Sequence, residues 1–246
     1  MMRFLALFAA LCCAGSVSSA KEVQNHGVVF EKWIRDTFFD GYEPESYTQK
    51  WDIPASANKR FGGVPINPKA TKYRTPVDLG DAIRQFQIDE EFIFLIGFWQ
   101  QEKEKKRFVN VVAPRIKPDE YRKLWGEIKL EDLQKLDKII KETPDYKEAR
   151  KLAQEMKKTA PFNTSIIKLN PKIDSKNQRR LQCSLSFADV FKHLAPTSDP
   201  AIQKRPLLWG VPVLEAFDSP ARAFKAKATE ETINRKLIYQ HADKTP

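Results

Sequence analysis

The sequence predicts an α/β fold, a mixed sheet flanked by helices, and three observations lead there. FIFLIGFW, residues 92–99, is an unbroken apolar run of strand length, the pattern of a strand buried on both faces. Upstream of it the order of elements is helix, strand, strand, helix, and a returning strand follows it. Beyond Pro118 the chain turns to amphipathic, Glu- and Lys-rich helices, so a helical insertion follows the core sheet.

The elements follow in chain order. EVQNHGVVFEKWIRDTFF places Val23, Val29, Phe30, Trp33, Ile34 and Phe38 at helical spacing, which predicts a helix over 22–39. After the loop GYEPES, a short strand is expected around Gln49 to Ile53, stopped by Pro54. VPINPK is a second short strand. TPVDLGDAIRQFQ predicts a helix with Asp78 as its cap and Leu79, Ile83 and Phe86 on one face. The strand FIFLIGFW is paired through the charged turn QQEKEKK with RFVNVVAPRI. Helices are then predicted in PDEYRKLWG, KLEDLQKLDKIIKE and PDYKEARKLAQEMKK. TSIIKL and LQCSLSF read as strands, with NPKIDSKNQRR as a polar connection between them, and ARAFKAKATEETINRKLIYQ as a helix in the tail.

The first twenty residues, MMRFLALFAALCCAGSVSSA, carry one positive charge at Arg3, an apolar run from Phe4 to Ala14 and small residues up to Ala20. That is the pattern of a secretory signal peptide, because the run is short of the roughly 20 apolar residues that span a bilayer. A secreted or periplasmic protein, without membrane contact once the leader is cleaved, is therefore expected. Cleavage removes Cys12 and Cys13 and leaves Cys183 alone, so stability must come from a core and not from an internal disulfide. Cys183 alternates with Leu181 and Leu185 and is expected as a small buried hydrophobe. The three histidines are far apart and show neither zinc nor triad spacing. A formal net charge of +10 favours polyanionic partners, although charge alone is equally a matter of solubility.

Hydrolysis of a phosphodiester with a metal needs hard oxygen ligands and a cation near phosphorus, where negative charge accumulates. Glu31 on the first helix, Asp52 in WDIP, and Asn67 and Lys69 in PINPK are the candidates. Alternate residues of a strand share a face, so Asn67 points wherever Lys69 points, and Pro68 points away. Each has an ordinary alternative: Asp52 as a turn former, Glu31 on a solvated helix face, Lys69 as the blunting lysine of an edge strand.

HGVVFEKWI, WDIP, PINPK, the segment VDLGDAIRQF and FIFLIGFW together resemble the PD-(D/E)XK nuclease superfamily, specifically its type II restriction-endonuclease-like members. The resemblance covers residues 26–113, and NPKIDSKNQRRLQCSLSF extends it to about residue 194. It implies a restriction-endonuclease-like core with helices on both faces, and a division into a leader (1–20), a nuclease domain (21–194) and a C-terminal extension (195–246). It implies Mg²⁺ as cofactor and double-stranded DNA as partner, with a homodimer among the expected assemblies. Asp52 would hold the metal, Glu31 would be the auxiliary carboxylate, the Pro68 carbonyl would be a further ligand, and Lys69 would orient the water or stabilise the phosphorane. Asn67 departs from the pattern by standing at the acid position. Its amide oxygen carries one charge less than a carboxylate, which weakens metal binding. Lys172, Lys176, Arg179, Arg180 and Gln182 are expected to contact the duplex from a loop. Two other readings stay open: an inactive DNA-binding relative, and a secreted structural or interaction protein.

Overall fold

The computed structural model describes residues 25–45, 50–175 and 178–219. The leader, Gln49, Lys176 and the tail helix expected over 221–240 lie outside them. Among the described residues no helix is long and apolar enough to cross a membrane.

The chain is a mixed α/β structure. Its first helix, α1, is Asn25–Phe38. The main sheet has the order β1-β3-β4-β8, where β1 is Ile66–Lys72, β3 is Phe92–Glu102, β4 is Lys105–Val112 and β8 is Phe217–Asp218. The short β5, Arg115–Ile116, pairs with the start of β3. β1 and β3 are parallel, with Asn67 opposite Phe94 and Lys69 opposite Ile96, and β3 and β4 form an antiparallel hairpin.

Burial of β3 on both faces accounts for its continuous apolar run. Ile93 and Leu95 join Phe30, Ile34, Ile66 and Phe108 in a core under α1. Phe92, Phe94, Ile96 and Phe98 face the opposite core, which also holds Tyr121, Leu124 and Trp125 of the stretch that begins with α3, Pro118–Lys123. That second core is completed by α4 (Leu130–Glu142), α5 (Tyr146–Lys157) and a short helix over 187–194. Fully burying each large apolar side chain contributes about 1.5–3 kcal/mol.

Two expectations about this region need correction. VDLGD is not the start of a helix. Val77–Asp81 forms β2, with Val77 and Leu79 buried, and it pairs with β7, Arg179–Leu185. Gly80 sits at φ +89° at an irregularity in that pairing, which a side-chain-bearing residue would adopt only with strain. The helix is delayed to α2, Ala82–Phe86, and its cap is Asp81, whose carboxylate accepts from the Arg84 N–H at 2.8 Å; Asp78 is not the cap. The strand expected over 49–53 reduces to one antiparallel bridge, Ile53 with Ile66, because Pro54 stops the pairing.

TSIIKL is also shifted. Its strand, β6, begins only at Lys168 and runs to Ile173, antiparallel to β7. The supposed connection NPKIDSKNQRR is therefore mostly strand, and β2, β7 and β6 form a second sheet in that order. Cys183 lies on its inner face, fully buried, and burial pushes its thiol well above the ordinary range.

Seating of α1 on the sheet depends on Gly97 of β3. A Cβ there would lie 2.6 Å from Cζ of Phe30 and 2.7 Å from Cε1 of Phe108, both rings being buried. Gly97→Ala should therefore destabilise the protein by about 1–3 kcal/mol through overpacking. A urea-unfolding midpoint unchanged from the wild type would show that α1 is not held in this way.

Candidate active site

Five segments meet at an open bowl of about 670 Å³. The face of α1 contributes Glu31 and, one turn later, Arg35. The stretch before β1 contributes Asp52, β1 contributes Asn67 and Lys69, and the β2–α2 junction contributes Asp81, Arg84 and Gln85, with Gln182 reaching in from β7. All four predicted catalytic positions line this one cavity. Lys69 and Asn67 do share a face of β1, as strand alternation requires.

Asp52 reaches the bowl without a strand to carry it. The Trp51 indole N–H donates to Glu90 Oε1 at 2.8 Å, the Lys50 ammonium donates to Glu90 and Asp89 at 2.7 and 3.0 Å, and Ile53 bridges to Ile66. Asp52 is thereby fixed between two anchored residues. Lys69 Nζ lies 3.7 Å from Asp52 Oδ2 and donates to the Pro68 carbonyl at 3.1 Å. The ammonium thus sits between two of the oxygens that the resemblance assigns to a metal.

Electrostatics single out Glu31. Burial, and then the Asp52 carboxylate, push its carboxyl up to about 7, against the opposing pull of Lys69 and Arg35. Asn67 is 6% exposed, and its Oδ1 has no hydrogen-bond partner among the described residues. A buried acceptor left unpaired costs about 1–3 kcal/mol. Gln85 is also buried and accepts from the Tyr121 hydroxyl at 2.7 Å, which fixes its amide.

Although the chain is basic, the bowl is not. Glu31, Glu43, Asp52, Asp78 and Asp81 outnumber Arg35, Lys50, Lys69 and Arg84 around it. Among the described residues no three His, Cys, Asp or Glu side chains are grouped so as to hold a metal by themselves. A hard cation here would draw on Asp52 and Glu31 together with the unpaired Asn67 Oδ1 and the Pro68 carbonyl. This oxygen set has the chemistry that Mg²⁺ takes.

Arg35 is absent from the sequence-based set. Its side chain is 13% exposed, its Nε is buried without a hydrogen-bond partner among the described residues, and its ion pair to the exposed Glu43 is long at 3.6 Å. The i,i+4 spacing from Glu31 is the signal that marks it.

The expected DNA-contacting set divides. Lys172 and Arg180 are exposed and lie directly opposite one another on β6 and β7. Arg179 is committed elsewhere: its guanidinium donates to the carbonyls of Ile140, Thr143 and Pro144 at 3.0 Å each, closing the C-terminal end of α4. These residues stand on strands, so the expectation of a gripping loop is corrected for all but Lys176, which is outside the described residues.

Comparison of the chain with family models, curated proteins and solved structures returns no match.

The Glu31 environment predicts a pH effect on stability in EDTA. Between about 4.5, its ordinary value, and about 7, the folded chain keeps a proton that the unfolded chain has lost, so stability falls as pH rises through that window and levels off above it. Asp52, Lys69 and Arg35 are the charges facing the carboxyl. Glu31→Gln should remove this component, raising Tm at pH 8 by roughly 2–4 °C while leaving it unchanged at pH 4. Equal effects at both pH values would contradict the assignment.

Proposed function

We propose that the protein is an exported, metal-dependent nuclease of restriction-endonuclease-like fold that hydrolyses phosphodiester bonds in double-stranded DNA. The observation that carries this reading is the convergence of Glu31, Asp52, Asn67 and Lys69 on one bowl, with Lys69 Nζ 3.7 Å from Asp52 Oδ2. A solvated helix face, a turn former and an edge-blunting lysine have no reason to meet. The element order around them, a helix with a glutamate, a segment with an aspartate and a strand with x-lysine leading to a central strand, supports the same reading.

Each residue has a task in this mechanism. Asp52, Asn67 Oδ1, the Pro68 carbonyl and Glu31 would hold Mg²⁺. The chemistry such an ion would supply when bound is Lewis-acid polarisation of the phosphate and activation of a water as nucleophile. Lys69 places its ammonium where charge grows on the phosphoryl oxygens, which is the largest kind of term in such reactions. Arg35 and Arg84 present further cations to the same volume and orient the phosphate. Lys50, already paired with Asp89 and Glu90, holds Asp52 in position instead. Export points to DNA outside the cytoplasm as the substrate.

The amide at Asn67 favours a second reading, a DNA-binding relative with a weakened metal site. The two readings divide on plasmid cleavage in Mg²⁺. The nuclease reading expects cleavage that Asp52→Ala and Lys69→Ala each lower by about 10²–10³-fold. Cleavage indifferent to both changes would remove the site assignment, and binding without cleavage would leave the second reading.

Asn67→Asp tests the acid position directly. In EDTA the added buried charge should lower Tm, and Mg²⁺ should bind roughly tenfold tighter, by about 1.4 kcal/mol, seen as a larger metal-dependent rise in Tm. An unchanged Mg²⁺ response would show that residue 67 does not face the metal.

A further inference from the structure

We propose that residues 201–214, with Trp209 and Gly210 at the tip, are an interfacial anchor that seats the protein on the surface of an anionic lipid bilayer. The proposal is independent of the nuclease reading, because no residue of the stretch lines the bowl. Sequence and exposure coincide in it. AIQKRPLLWGVPVL carries two cations and no carboxylate, in a chain with 32 Asp and Glu residues. Among the described residues four large apolar side chains are exposed, and three of them, Ile202, Leu207 and Val211, fall in this one stretch.

Local structure keeps those side chains out of the core. Leu207–Leu208 and Val211–Pro212 form a short antiparallel hairpin, closed by Trp209 and Gly210 at φ +48° and +83°. Left-handed backbone at both positions suits a two-residue hairpin turn, where asparagine or glycine is the ordinary first residue. A tryptophan adopts it only with strain. Its ring is held by stacking on Phe61, with centroids 3.7 Å apart, and by edge contacts from Phe38 and Phe39 at the end of α1. Leu208 and Val213 fix the hairpin in the core under α1, whereas Leu207 is 55% exposed and Val211 37%. The hairpin is thus a firm mount that carries apolar side chains on its outside.

Cations surround the same end. Lys204 and Arg205 precede the hairpin, and the Arg60 guanidinium lies 5.8 Å from the centroid of Phe61, the ring on which Trp209 stacks. All three are exposed and take part in no ion pair among the described residues. Exposed apolar patches mark contact with another protein or with a membrane. Protein interfaces are depleted of lysine, but here Lys204 and Arg205 stand between Ile202 and Leu207. Aliphatic side chains among cations, with a tryptophan where polar and apolar meet, match the bilayer interface. Negative headgroups complete the fit, since each Lys or Arg near such a surface strengthens binding about fivefold. Contact of this kind needs no spanning run, because the apolar side chains enter only the boundary between headgroups and acyl chains.

Flotation with lipid vesicles tests this, using the full chain processed after Ala20 so that the apolar leader does not itself bind lipid. Vesicles of equal parts phosphatidylglycerol and phosphatidylcholine should carry the protein upward, and vesicles of phosphatidylcholine alone far less. The double variant Leu207→Ser, Val211→Ser keeps every charge and should weaken association at least about tenfold, with an unchanged Tm because both side chains are exposed. Lys204→Gln, Arg205→Gln should weaken it about 25-fold. The anchor is overturned by absence of flotation with the anionic vesicles or by equal flotation with phosphatidylcholine alone. It is also overturned if the apolar variant binds as well as the wild type, which would leave only the attraction of a basic chain to anionic lipid. Self-association that the apolar variant abolishes, without flotation, overturns it as well and makes the patch a contact between copies of the chain.

Discussion

Burial of β3 on both faces is the constraint on which the site depends. A strand enclosed this way must have a helix close on one side, and Gly97 is where α1 comes close, with the Phe30 ring over the missing side chain. Glu31 follows Phe30 directly, so the packing of one determines the position of the other. On the same strand, β1 pairs in parallel and holds Asn67 and Lys69 opposite Phe94 and Ile96. The carboxylate on the helix and the lysine on the strand are thus referred to a common frame of apolar side chains, each contributing about 1.5–3 kcal/mol when buried. Asp52 is tied to this frame more lightly, by the Ile53–Ile66 bridge and by Glu90.

Charge is distributed against the grain of the composition. The chain carries a net +10, yet carboxylates outnumber cations around the bowl, and the basic side chains of β6 and β7 stand beyond it. A site built only to attract a polyanion would be basic at its centre. A centre that mixes carboxylates with cations suits a hard cation and a phosphate ester together, because the carboxylates would hold the ion and the cations the phosphate.

What the sequence made legible follows how strongly each segment's local signal agreed with its environment. FIFLIGFW and the helices after Pro118 were readable because burial alone explains their patterns. The β2 strand was not, because Pro76 and Asp78 imitate a helix start and only the pairing with β7 overrides that signal. The β6–β7 hairpin was hidden by its own outer face: Asn170, Lys172 and Arg180 dilute the alternating apolar residues until the stretch reads as a loop. Pro171 is tolerated there because β6 is an edge strand. Within the site, Glu31, Asp52, Asn67 and Lys69 were found through element order, whereas Arg35 required knowing which face of α1 turns inward. Arg179 shows the converse error, since a basic residue in a polar run gives no sign that three carbonyls of a distant helix end await it.

Three different costs meet in this bowl. Asn67 Oδ1 and Arg35 Nε are buried without hydrogen-bond partners among the described residues, and Glu31 sits where burial and a neighbouring carboxylate oppose its charge. An acceptor, a donor and a disfavoured anion each lower the stability of the chain by itself. In a purely structural cleft they would be expected to pair with one another. Here they come from α1 and β1, which are held apart by the core beneath them. A bound cation would satisfy the acceptor and the carboxylate, and a phosphate oxygen would satisfy the guanidinium, so two ligands of opposite charge would resolve all three costs at once. Local conflicts that one pair of ligands resolves together are the pattern expected of a site whose structure serves a reaction more than its own stability.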